Sequence, residues 1–231
     1  MDLIDTLRTT GAVRDFQPDP VPDEVVHRIL DSARFAPSGG NRQGWRVVVV
    51  KDSVTRRALR DLYLTTWYEY LAQRMVGLTP WAPITDRDAE ARAIESANDM
   101  RGGQGFPEDL DEVPVLLVVF ADLRALAAVD RDLPRYTFAG GASVYPFVWN
   151  VLLAAREEGL GGVVTTMAIG REHEVKALRD APAELAVAAV VALGRPVRQP
   201  RKLTREPVES FTTVDRVTGP PFAGTSDSCA S

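Results

Sequence analysis

Val115-Leu116-Leu117-Val118-Val119-Phe120 is apolar without a break and rich in β-branched residues. A strand with one face open to water alternates apolar and polar side chains. A continuous run needs cover on both faces. Pro114 just before it is tolerable at a strand start, where no ladder donor is required. The fold must therefore hold a central strand between two layers.

The remaining segments supply those layers. Trp45 to Val50, Gly162 to Met167 and Ala186 to Leu193 read as further strands. Leu3 to Thr10 reads as a short helix with Leu3, Ile4 and Leu7 on one face. Pro22-Asp23-Glu24 suits a helix start, and Val25, Val26, Ile29, Leu30 and Ala33 follow at helical spacing. Ser53 is placed to cap a helix through Leu59, Leu62 and Leu71. Ser143 to Glu158 is apolar almost all round, so it is buried in the core or in a subunit interface, and Gly159 stops it. Arg171 to Arg179 is a short polar helix. Between residues 77 and 110 only Ala89 to Met100 looks helical. The rest, with Pro80, Pro83, Pro107 and three glycines, reads as a mobile excursion of the kind that often forms a lid. The expectation is an α+β or α/β layered fold: one domain over residues 1–210, then an extended or disordered tail over 211–231.

Several chemistries are disfavoured. The net charge of −5 offers no basic face for nucleic acid and argues against anionic membranes. The N-terminus lacks the apolar core of a signal peptide, and no apolar stretch is long enough to span a membrane. Cys229 is the single cysteine, so no intrachain disulfide is expected, and the reading is cytoplasmic. His27 and His173 are isolated, so no metal site is expected. Gly159-Leu160-Gly161-Gly162 follows a helix and enters a strand, the reverse of a dinucleotide-binding turn. Gly141-Ala142-Ser143-Val144-Tyr145 approaches a nucleophile elbow but ends in tyrosine. A serine hydrolase using Ser143 is thus a weak alternative to a plain helix cap.

Ser38-Gly39-Gly40-Asn41 sits between a helix and a strand. It reads either as a helix stop or as a loop whose backbone N–H groups meet a polar ligand edge. Its context bears on the choice. Ala36-Pro37-Ser38, two residues, Asn41, one residue, Gln43 and then Trp45 resembles the signature of the nitroreductase family, with Gly44 where proline is usual. Arg14-Asp15-Phe16, the proline-rich connection, the glycine run at 159–162 and Arg205-Glu206-Pro207 follow at similar spacing. The resemblance spans about residues 5 to 210.

That resemblance implies an α+β fold with a mixed central sheet flanked by helices. It also implies a domain-exchanging homodimer that binds FMN at the subunit interface. Arg14 would lie at the flavin's pyrimidine edge, where a cation stabilises the charge that reduction creates. Arg205 would pair with the phosphate. Pro37, Ser38, Gly39 and Asn41 would approach from the partner subunit, and Thr165, Thr166 and Met167 would line the central ring. The arginine usual just before the Arg14 position is missing. Arg8 or the Thr10 hydroxyl would have to serve the phosphate instead. The implied reaction is ping-pong hydride transfer from NADH or NADPH to a nitroaromatic or quinone-like acceptor. Some relatives dehalogenate iodotyrosines or consume the flavin. Trp67, Tyr68, Tyr70, Trp81 and Phe106 either form an aromatic lid over the substrate or are ordinary packing.

Overall fold

The computed structural model describes residues 2–224. Strands β1 (Trp45–Val49), β2 (Val115–Asp122), β3 (Gly161–Thr165) and β4 (Leu185–Gly194) form one sheet in the order β1-β2-β4-β3. Every neighbouring pair is antiparallel, which corrects the expected mixed sheet. The one parallel pairing among the described residues is the isolated bridge between Ala12 and Gly162. Strand content is readable from local pattern, but direction is not. The connections here are much longer than a hairpin, and long connections accommodate either direction.

The continuous run of β2 is explained by a core on each face. Leu117, Val119 and Ala121 pack with Val26 and Ile29 of α2 (Asp23–Ala33) and with Phe147, Val148 and Val151 of α5 (Tyr145–Glu157). Leu116, Val118 and Phe120 point the other way, onto Leu59 and Tyr63 of α3 (Ser53–Met75) and Val175 of α6 (Glu172–Leu178). Alternate residues thus serve opposite cores, and each fully buried Val, Leu or Phe contributes roughly 1.5–3 kcal/mol.

Helix ends follow local chemistry, with one correction. Asp52, not Ser53, caps α3, its carboxylate accepting the Thr55 N–H at 2.8 Å. Its negative charge also meets the positive end of the helix dipole, which a serine would not do. Asp2 caps α1 (Leu3–Thr9) in the same way. The apolar face of α1 stays open, with Leu3, Ile4 and Leu7 exposed. On α5, Tyr145 and Trp149 are exposed although the opposite side is buried.

Residues 77–110 hold α4 (Arg87–Ser96) and a 3-10 turn, Ala97–Asp99. The segment is tied to α3 at several points. The fully buried Gln73 side chain accepts the Trp81 N–H at 2.9 Å. Phe106 and Leu110 are buried in the α3-side core. After β4, Asp15 and Gln17 exchange backbone hydrogen bonds with Val197 and Arg195. The chain then runs extended to a turn closed by Val214 and Pro220. Residues 225–231, including Cys229, lie outside the described residues.

Candidate active site

Edge strand β3 ends on a cleft of about 520 Å³, bounded by α3 and by Phe106-Pro107. Glycines set how closely its floor packs. A Cβ on Gly162 would come 2.5 Å from Leu193 and 2.7 Å from the Ala192 carbonyl, so only glycine lets β3 lie this tightly against β4. A Cβ on Gly170 would meet the Thr66 hydroxyl at 2.6 Å. Glycine there allows the 3-10 turn Met167–Arg171 to dock on α3 and holds the end of β3 beside the helix.

On this floor the Thr165 hydroxyl hydrogen-bonds that of Tyr63 at 3.1 Å. Tyr63 is buried, and Phe106 packs edge-on against its ring at 6.4 Å. Burial pushes the Tyr63 phenol above its ordinary value, opposed in part by the Thr165 hydrogen bond and the nearby Arg14 charge. The phenol therefore keeps its proton at neutral pH, while its oxygen accepts the Thr165 hydroxyl. Arg14 lines the cleft and is exposed to solvent. Thr166 is exposed just beyond the strand, and the Met167 N–H reaches back towards Thr165 Oγ1 at 3.5 Å.

The wall formed by the second half of α3 is aromatic. Trp67 and Tyr70 stack at 5.2 Å with their planes 14° apart. The Arg74 guanidinium lies 5.9 Å from the Tyr70 ring centre. Thus Arg14, Trp67, Tyr70, Phe106, Thr165, Thr166 and Met167, all singled out from sequence, line one cleft. Tyr63 and Arg74 were missed. A signal was available: Tyr63, Trp67, Tyr70 and Arg74 follow at spacings of four, three and four, which is one helix face.

Other candidates fall elsewhere. Tyr68 bonds the Glu108 carboxylate and lines a separate hollow with Glu69 and Arg101, so it is not a wall of this cleft. Trp81 tilts against Tyr70 at 6.4 Å, behind the lining. Thr10 is buried, with its hydroxyl donated to the Thr6 carbonyl at 2.7 Å. Arg8 is exposed in the last turn of α1. Arg205 is exposed near the basic run Arg198, Arg201 and Lys202, which lines a different hollow.

The Pro37–Asn41 loop also lies outside this cleft. Ser38 Oγ accepts the Gln43 N–H at 3.0 Å, and the Gly39 N–H donates to Ser143 Oγ at 3.0 Å. Gly40, Asn41 and Gln43 are left-handed, at φ 60°, 53° and 48°. Pro37, Gly39 and Asn41 are exposed. Gly44 has a packing reason: a Cβ there would sit 2.9 Å from that of Ala125. Ser143 is not the cap of α5. Val144 holds that position, and the Ser143 oxygen braces the loop with no histidine partner among the described residues.

The edge strand of this α+β domain thus ends on a cationic, aromatic-walled cleft. The chain belongs to the nitroreductase family: the family model described as "Nitroreductase family" matches residues 7–195. It is 32% identical to an NADH dehydrogenase of Thermus thermophilus over 199 residues, covering 86% of this chain and 88% of that protein. It is 30% identical to a 5,6-dimethylbenzimidazole synthase of Rhodospirillum rubrum over 185 residues, covering 80% and 77%. Among solved structures, an oxidised iodotyrosine deiodinase bound to FMN and 3-iodo-L-tyrosine is similar, with TM-score 0.63 and 26% identity over 90% of this chain and 96% of that one. Among the described residues no helix is long and apolar enough to cross a membrane, and no side-chain cluster suits a metal.

Proposed function

We propose that this protein is a cytoplasmic, homodimeric, FMN-dependent oxidoreductase that uses NADH or NADPH to reduce nitroaromatic or quinone-like acceptors. The observation that carries the reading is the cleft itself, lined together by Arg14, the Tyr63–Thr165 hydroxyl pair and the Trp67–Tyr70 stack. Its chemistry fits an isoalloxazine. Val163, Val164 and Phe106 offer apolar surface to the ring faces, while Arg14 and the hydroxyls offer charge and hydrogen bonds to a polar edge.

Bound there, FMN would supply two-electron transfer. Arg14 would stabilise negative charge at the pyrimidine edge. The backbone at Thr165, Thr166 and Met167 would orient the ring system, and Arg205, with Arg8 in place of the usual N-terminal arginine, would meet the phosphate. Trp67, Tyr70 and Phe106 would exclude water and hold a planar substrate, with residues 77–110 as their cover. One cleft serves reductant and acceptor in turn, which favours ping-pong order.

The contribution of Ser38, Gly39 and Asn41 from a second subunit is supported by their position. They are outside their own cleft, and the loop carries exposed left-handed backbone. The open apolar faces of α1 and α5 give a second copy something to cover.

A visible spectrum of the purified protein tests the reading. Bound FMN absorbs at about 450 nm, bleaches with NADH or NADPH and recovers when an acceptor is added. A colourless protein that takes up no added FMN would overturn it. The similarity to a deiodinase and to a 5,6-dimethylbenzimidazole synthase favours a second reading, in which the same flavin site serves dehalogenation or flavin breakdown. Supplying 3-iodotyrosine, or oxygen without an acceptor, to the reduced protein separates these.

A further inference from the structure

We infer that Arg74 makes this cleft selective for planar aromatic acceptors that carry an acidic group. The inference rests on the redox reading above and specifies its substrate.

The cleft contains two guanidinium groups, Arg14 and Arg74, and no carboxylate among its described lining residues. Neither arginine has an ion-pair partner among the described residues, although many other arginines here do, such as Arg28 with Glu158 and Arg124 with Asp122. The protein carries a net charge of −5, so its overall field repels anions. Two unpaired cations in one cleft reverse that locally. Arg14 is committed to the floor, beside Tyr63 and the end of β3. Arg74 lies further along α3, beside Tyr70, and is left for whatever stacks there.

Helix geometry sets the length of that ligand. Trp67, Tyr70 and Arg74 share one face of α3, and seven residues of helix rise about 10 Å. This spans one aromatic ring on the Trp67–Tyr70 shelf plus a short arm ending in a carboxylate or similar anion. The exposed Arg74 guanidinium already lies 5.9 Å from the Tyr70 ring centre, a cation–π contact that holds its planar fork beside the shelf. A guanidinium meets a carboxylate with two parallel hydrogen bonds, which rewards the acidic group over a neutral substituent.

The test is calorimetric binding of 4-nitrobenzoate and nitrobenzene to the FMN-loaded protein without reductant, with FMN content read separately from the spectrum. The expected result is that 4-nitrobenzoate binds about tenfold tighter, the difference expected of one charge-assisted pair. That ratio should fall towards one in Arg74→Gln, persist in part in Arg74→Lys and drop below one in Arg74→Glu. Arg57→Gln, an exposed position on the same helix, should keep it. A wild-type ratio near one overturns the inference. So does a ratio that Arg74→Gln leaves intact, including the case where that variant weakens only NADPH binding. Failure to bind FMN would overturn the flavin reading alone, since the same pair of titrations on the FMN-free protein still reports the anion preference.

Discussion

The hydroxyls of Tyr63 and Thr165 meet at 3.1 Å across 102 residues of sequence, joining the middle of α3 to the last residue of β3. This bond sets the height of the cleft floor, because the turn that follows Thr165 hangs from it. Tyr63→Phe keeps the ring against Phe106 and deletes only the hydroxyl. We expect a stability loss of about 1 kcal/mol, or roughly 2–4 °C in Tm. FMN affinity should fall several-fold, measured by fluorescence titration. A variant with unchanged Tm and affinity would deny Tyr63 this role.

Ser143 offers a second test. Its oxygen accepts the Gly39 N–H, so Ser143→Ala should loosen residues 38–41 at a cost of about 1 kcal/mol. FMN retention on gel filtration should drop, and neither the parent nor the variant should hydrolyse an activated ester. Ester hydrolysis that disappears with Ser143→Ala would revive the hydrolase reading.

Gly44 departs from the family's usual proline, and Ala125 supplies the reason. Gly44→Ala should destabilise by about 1–3 kcal/mol through overpacking. Ala125→Gly in the same chain should restore much of this, as urea unfolding midpoints would show. A neutral single substitution would mean that the loop at Ala125 gives way freely.

Acid stability should depend on two carboxylates. Hydrogen bonding by Arg124 draws Asp122 down to about 2, and the Thr137 hydroxyl and the Phe138 N–H hold Asp130 well below the usual carboxylate range. Both are depressed in the folded state, so their stabilisation is complete above the unfolded value of about 4 and is lost as pH falls towards about 2. Urea midpoints measured from pH 6 to pH 2 should stay level and then decline through that window. Asp122→Asn should lower the plateau and flatten the decline.

Much of the fold was legible in the chain's own pattern. The unbroken β2 run demanded two layers, α2, α3 and α5 lie close to where apolar spacing put them, and α6 falls within the short polar helix expected at 171–179. The misreadings are instructive. Ser53 lost the cap of α3 to Asp52 because both are good capping residues and only the backbone path decides between them. For the aromatic group the pattern left lid and packing both open, and one residue of helix turns Tyr68 about 100° from Trp67. Tyr68 consequently faces Glu108 instead of the cleft. Arg74 passed unnoticed because its place on the Tyr63, Trp67 and Tyr70 face shows only when the helical register is followed to the last turn of α3.

The sequence by itself determined which segments are helix or strand and which of their faces need burial, because periodicity records burial locally. Through the Ala36–Trp45 pattern it also pointed to the family. Only the tertiary structure decided that the sheet is antiparallel, that Ser143 braces Gly39 from 104 residues away, and that Tyr63 supports Thr165. Those relationships depend on the packing of elements far apart in the chain. No local spacing encodes such packing, and the volumes and directions of whole layers settle it.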